Sequence, residues 1–199
     1  REQLMNRLFA AEGGIDSRKL LIGELSTEDW GKVADLSPIF GASSLYMDDT
    51  AGITVAEMKA KLRRVRDLGL VVIDYLQLMS SSRRSENRVQ EVSEITRSLK
   101  IMAKELNVPV ITLSQLSRGP DSRSDHRPML SDLRESGSIE QDADIVLFLY
   151  REAYYEKERE DQSETECIVA KNRHGETGKI DLRWDGRYTR FFSVDRSRE

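Results

Sequence analysis

The sequence has a single cysteine, Cys167, and only two histidines, His126 and His174. A lone thiol forms no internal disulfide and fits a reducing cytoplasm; in the strand-like run where it sits, its ordinary role is that of a small buried hydrophobe. The histidines are not spaced from each other, or from Cys167, as ligands of a metal site would be, so both read as surface residues. No apolar run approaches the roughly 18 residues of a membrane span, so no membrane association is expected. The opening Arg1-Glu2-Gln3-Leu4-Met5 is amphipathic rather than a signal peptide. A large positive charge is lacking too: the net charge of −4 argues against a protein that coats nucleic acid along its whole surface. Internal repeats and low-complexity tracts are missing. So is a phosphate-binding loop of the form G-x-x-x-x-G-K-[ST]: the nearest approach, Gly175-Glu176-Thr177-Gly178-Lys179, is spaced too tightly and opens a strand instead of a helix.

What remains is a chain of 199 residues, 33% charged and 38% apolar, long enough for one soluble globular domain with a sizeable core. It opens on Arg1, with neither an initiator methionine nor a capping residue, and reads as cut from a longer chain. Acidic residues crowd positions 156–166. Basic residues cluster at 61–66, 83–88, 118–127 and 171–174. Such clusters are ordinarily solvated faces, although a mildly acidic protein can still bind nucleic acid through a few inward-facing loops of a ring.

The pattern of apolar residues predicts helices over 1–12, stopped by Gly13-Gly14, and from Ser26, with Trp30, Val33 and Ala34 inward. It predicts a third from the Thr54/Glu57 capping box and a long fourth over 88–106. Residues 44–49 read as a short strand. Continuous apolar runs at 70–73, 108–113 and 143–150 read as strands buried on both faces. Residues 116–130 read as a long polar loop, after which Ser131 caps a short helix ending at Gly137. Strands over 166–171, 179–184 and 189–194, joined at His174-Gly175 and Asp185-Gly186, read as antiparallel. The sum is an α/β fold, parallel in its middle and antiparallel at one end.

Asp74 ends the first buried strand, where open α/β sheets bind ligands and where nucleotide hydrolases keep the aspartate that holds Mg²⁺ through water. An aspartate that merely caps the next helix is the plainer alternative. Gln115 ends the neighbouring strand on the same rim, as a neutral amide able to sense a γ-phosphate; a strand-end amide satisfied by local backbone is its alternative. Lys171 and Arg173 alternate along a strand, so they point to one side and suit phosphate clamping, unless they simply end an exposed hairpin. The turn Arg134-Glu135-Ser136-Gly137-Ser138 can hold phosphates through backbone amides or can be a plain helix stop. Tyr154, Tyr155, Trp184 and Tyr188 are able to stack bases, though core or edge packing is the usual use of such residues.

Taken together, Val71-Val72-Ile73-Asp74-Tyr75-Leu76-Gln77-Leu78, Ser114-Gln115-Leu116-Ser117-Arg118, the run from Ser131 through Leu133-Arg134-Glu135-Ser136-Gly137 to Asp144, and Ala170-Lys171-Asn172-Arg173-His174-Gly175 resemble the bacterial replicative DNA helicases of the DnaB type. The resemblance spans essentially residues 1–199. It implies a RecA-like P-loop NTPase core, here without its first strands, its phosphate loop, its catalytic glutamate and the N-terminal primase-interacting domain. It further implies a cytoplasmic homohexamer of the primosome that uses ATP and Mg²⁺ to move along single-stranded DNA, with primase and a helicase loader as partners. By the same resemblance Asp74 is the metal aspartate and Gln115 links the γ-phosphate to the DNA loops. Arg134, Glu135 and Gly137 contact the DNA backbone, and Lys171 and Arg173 complete the neighbouring subunit's ATP site. The isolated chain is then expected to lack ATPase activity. A recombinase- or clock-type ATPase with the same core, and a non-catalytic DNA-binding or assembly module, are the rival readings.

Overall fold

The computed structural model describes residues 2–82, 87–133, 137–156, 158 and 160–194. The chain divides into two compact units. The first comprises Arg1–Asp49, Arg151–Glu166 and Asp181–Glu199; the second comprises Thr50–Tyr150 and Cys167–Ile180.

The first unit opens with three helices, α1 (Glu2–Gly13), α2 (Ser17–Ile22) and α3 (Thr27–Ala42). The α3 capping box forms as the sequence demands. The Ser26 hydroxyl accepts from the Asp29 amide at 3.1 Å, and the Asp29 carboxylate accepts from the Ser26 amide at 3.1 Å, which satisfies donors the first turn would leave orphaned. Those bonds hold the buried Asp29 carboxyl below the usual carboxylate range. The inward face of α3 differs from expectation. Trp30 and Ala34 are exposed, while Phe40 meets Phe9 of α1 edge to face at 5.0 Å. α2 went unread, although its signals are plain: Asp16 caps it by accepting from the Arg18 amide, and Gly23 closes it at φ 77°, a conformation that favours glycine. Residues 44–49 form no strand. Among the described residues no strand pairs with them, and an extended segment without a ladder partner has nothing to order it.

The second unit holds the nucleotide-type sheet. α4 (Val55–Leu62) starts at the Thr54/Glu57 capping box, and α5 (Arg88–Leu106) runs from its Asn87 cap to Asn107 in the left-handed region at φ 53°. Val92, Ile95, Leu99 and Met102 recur on one face of α5 and pack with Val55, Val71, Ile73, Leu76 and Met79 into one core. β1 (Val71–Ile73) and β2 (Val110–Thr112) pair in parallel, with Val71 opposite Val110 and Ile73 opposite Thr112. The expectation of strands buried on both faces is corrected. Helices cover one face only, and Leu70, Val72, Ile111 and Leu113 on or beside these strands are exposed, Val72 by 58%.

The same correction applies to β3 (Ile145–Tyr150), in which Val146, Phe148 and Tyr150 are buried and the alternate residues are not. β3 also leaves the parallel pair and heads a second sheet of order β3-β4-β5-β6, with β4 (Glu164–Asn172), β5 (Gly178–Asp185) and β6 (Arg190–Ser193). β5 and β6 are antiparallel, with Leu182 opposite Ser193. Strands β4 and β5 each begin in one unit and end in the other. The fold is therefore the expected α/β class, a parallel sheet with an antiparallel one, and its parallel part is two strands wide. Cys167, on β4, is free and partly buried.

Candidate functional site

The parallel ladder fixes the rim. Beyond the last register pair, the Leu113 amide donates to the Ile73 carbonyl at 2.9 Å and the Leu76 amide to the Leu113 carbonyl at 2.8 Å. Asp74 lies between these two bonds, across from Leu113, and Gln115 follows two residues on. The two side chains therefore belong to one edge of the sheet, as their strand-end positions imply. Both residues are exposed. The Asp74–Tyr75 peptide is cis.

Between the two strand ends stands Gln77, on the single 3-10 turn Leu76–Leu78. Its Oε1 accepts from the Gln115 amide at 3.2 Å, and its Nε2 donates to the Ser114 hydroxyl at 3.0 Å and to the Gln115 carbonyl at 3.4 Å. The turn is seated by Leu76, 1% exposed, and by the buried Met79. Arg88 at the start of α5 donates to the Gln77 carbonyl at 2.9 Å and pairs with Glu91 at 2.7 Å. That ion pair holds the Glu91 carboxyl below its ordinary range.

The segment after Gln115 is not the open polar loop expected. It contains α6 (Gly119–Ser122) and folds around a buried carboxylate, Asp132. The Arg123 guanidinium clasps Asp132 with both terminal nitrogens, Nη1 at 2.9 Å from Oδ1. The Met129 amide donates to the same carboxylate at 2.8 Å, and the Ser117 amide donates to the Asp132 carbonyl at 2.8 Å. Arg123 is the largest cause of the lowered Asp132 carboxyl pKa; burial opposes it. Gly119 is required here, because a Cβ would stand 2.4 Å from Asp132 Oδ1. Farther along, Tyr150 donates its hydroxyl to the Asp125 carbonyl at 2.9 Å, and the Arg127 guanidinium lies 4.9 Å from the centre of the Tyr150 ring.

Ser131 lies in a 3-10 turn, Leu130–Asp132, and the helix expected to stop at Gly137 instead starts there, as α7 (Gly137–Asp142). Of the turn expected to meet DNA, Arg134 and Glu135 lie outside the described residues; Gly137 is the first residue of α7 and is exposed. Thr96 of α5 donates to the Asp142 carboxylate at 2.6 Å, which seats α7 on α5.

Lys171 and Arg173 do point to one side of β4's end, as alternation requires, and what they meet there is the end of α7. Lys171 donates to the Glu140 carbonyl and the Arg173 guanidinium to the Gln141 carbonyl, while the Arg173 amide donates to the Asp144 carbonyl at 2.9 Å. Cations at a helix C-terminus satisfy carbonyls that have no intrahelical partner. Lys100 is the main cause of the depressed Asp144 carboxyl pKa, with smaller contributions in the same direction from Arg173 and His174. Of the expected base stackers, Tyr154 is exposed edge to face with Tyr155, while Trp184 packs on Phe191 at 4.6 Å.

Gln77, Arg123 and Asp132 went unread in the sequence. The signals were an amide inside the apolar Leu76-Gln77-Leu78 and an acid between Leu130 and Leu133. Polar groups in such company are either exposed or specifically paired.

Residues 1–193 match the family model described as the DnaB-like helicase C-terminal domain. The chain is 53% identical over 199 residues to the replicative DNA helicase DnaC of Bacillus subtilis (strain 168) and 51% identical to the replicative DNA helicase DnaB of Geobacillus stearothermophilus; in each case the match covers 98% of this chain and 44% of the relative. The chain thus spans less than half the length of these relatives. Among solved structures, a helicase ATPase domain aligns with TM-score 0.90 and 42% identity, over 95% of this chain and 69% of that one. A DnaB-like replicative helicase described with its interactions with primase aligns at the same TM-score and identity, over 96% and 48%. These likenesses favour the helicase reading over the recombinase- or clock-type one.

Proposed function

This chain belongs to the family of DnaB-like helicase C-terminal domains, and on that premise we propose that it forms part of the ATP-driven motor of a cytoplasmic replicative DNA helicase, a homohexamer that translocates on single-stranded DNA and unwinds duplex at the fork. The observation that carries this reading is the rim itself: an exposed carboxylate and an exposed amide at the ends of two parallel strands in hydrogen-bonded register.

Among the described residues no group of three or more His, Cys, Asp or Glu could enclose a metal. A lone carboxylate fits Mg²⁺ nonetheless, because that ion keeps waters and takes one or two carboxylates together with nucleotide phosphates. ATP with Mg²⁺ supplies the phosphoryl group whose transfer to water drives the motor. Asp74 orients the hydrated ion. Gln115 hydrogen-bonds the γ-phosphate side and passes its state to the segment that follows. Arg134, Glu135 and Gly137 face the DNA backbone. Lys171 and Arg173 donate to phosphate oxygens in the neighbouring subunit's site. Primase and a loader are partners of the whole helicase; the described DnaB-like helicase with its interactions with primase supports the former.

With no phosphate loop in its sequence, this chain alone is expected to give no hydrolysis above background with Mg²⁺, ATP and single-stranded DNA. In the intact helicase, Asp74→Ala is expected to lower turnover by at least about 10²-fold. Turnover by the isolated chain that disappears in Asp74→Ala would overturn the division of labour proposed here.

A further inference from the structure

We infer that Gln77 is the positioning residue for Gln115, holding the sensing amide in register with Asp74. The inference rests on the sensor role proposed for Gln115.

A sensor works only if its backbone is fixed while its side chain is free to exchange partners. Gln115 is exposed, and β2 has already ended at Thr112, so the sheet ladder does not hold it. What holds it is Gln77, which grips the Gln115 main chain from both sides. One amide oxygen accepts from the Gln115 N–H at 3.2 Å, and the amide nitrogen donates to the Gln115 carbonyl at 3.4 Å and to the Ser114 hydroxyl at 3.0 Å. A side-chain amide is the one neutral group that can accept from and donate to the same residue's main chain in this way. Gln77 is itself fixed, because its turn is anchored by buried Leu76 and its carbonyl is held by Arg88. Asp74 precedes Gln77 by three residues on the same strand exit. Gln77 therefore sets the spacing between metal carboxylate and sensor amide without touching nucleotide.

The consequence is specific. Loss of the Gln77 hydrogen bonds should lower the rate at which bound ATP is hydrolysed in response to DNA, and should leave ATP binding alone. Displacement of a reacting group by about 1 Å costs on the order of 10²-fold; a sensor loosened on one side is expected to lose about tenfold.

The test is made in the intact helicase, with Gln77→Met, which keeps the side chain's length and removes its hydrogen bonding, and with Ser114→Ala, which removes one partner and leaves the fold of the turn intact. DNA-stimulated kcat should fall about tenfold in Gln77→Met and less in Ser114→Ala, with KM for ATP within about twofold of the parent and an unchanged thermal midpoint. Gln115→Ala is measured beside them. If Gln115→Ala uncouples hydrolysis from DNA and Gln77→Met does not, the positioning role is overturned and the sensor stands. If Gln115→Ala leaves DNA stimulation intact, both fall. A rise in KM matching the loss of kcat in Gln77→Met, or a lowered midpoint that accounts for the loss, would mark Gln77 as merely structural and overturn the inference.

Discussion

The sheet rim and the end of β4 present polar groups in opposite ways. At the rim the backbone is tied down and the side chains are left open: Gln77 grips the Gln115 main chain, while Asp74 and Gln115 stand exposed. At the end of β4 the side chains themselves are taken. Lys171 and Arg173 both donate to carbonyls at the end of α7. An open side chain on a fixed backbone is built to meet a ligand where it stands. A cation already bonded to a helix end has to let go before it serves elsewhere, and what it releases is the helix that begins at Gly137. The difference shows that one site can be preformed within a chain while another is held in a satisfied resting arrangement.

The largest expected effect breaks this comparison directly. Arg173→Ala in the intact helicase should cut hydrolysis by on the order of 10³-fold or more while nucleotide binding survives; an equal loss of binding would return Arg173 to a purely local capping role. Next, the carboxylate that orders the segment after Gln115 is buried where the rim carboxylate is not. Asp132→Ala should therefore destabilise this chain by about 3 kcal/mol in denaturant unfolding, because it strands the Arg123 guanidinium, whereas Asp74→Ala should cost less than about 0.5 kcal/mol.

A pH series sharpens the same contrast. Asp132 is held below its ordinary pKa by Arg123, so as acid is added the unfolded chain takes up the proton first. Its stabilising contribution is complete above the unfolded value of about 3.9 and is lost as pH falls through and below it. Urea midpoints should fall across that window, and Asp132→Asn should flatten the fall. The smallest effect is at the α4 start, where Thr54→Ala should cost about 1 kcal/mol through the lost cap.

The helices were legible in proportion to their punctuation. Asn87 and Asn107 bracket α5, and the Thr54/Glu57 box opens α4, because caps satisfy local donors and need no distant partner. Strand ends were legible for the same reason: Asp74 and Gln115 each close an apolar run. What was not legible depended on cover and pairing. The unbroken run Leu70-Val71-Val72-Ile73 states a demand for burial on both faces, and a sequence cannot say that helices within these residues meet only half of it. Nor could spacing along the chain reveal that Arg123 finds Asp132, or that Lys171 and Arg173 find α7, since those pairings form only when separate segments meet.

The uncovered side of β1, β2 and β3 has a practical consequence for anyone handling the isolated chain. Val72, Ile111, Ile145, Leu147 and Leu149 meet water with more than half of their surface. Salts excluded from protein surfaces strengthen apolar association, so sulfate should drive this polypeptide out of solution early. Crystallisation screens and storage buffers are best begun at the opposite end of the salt series.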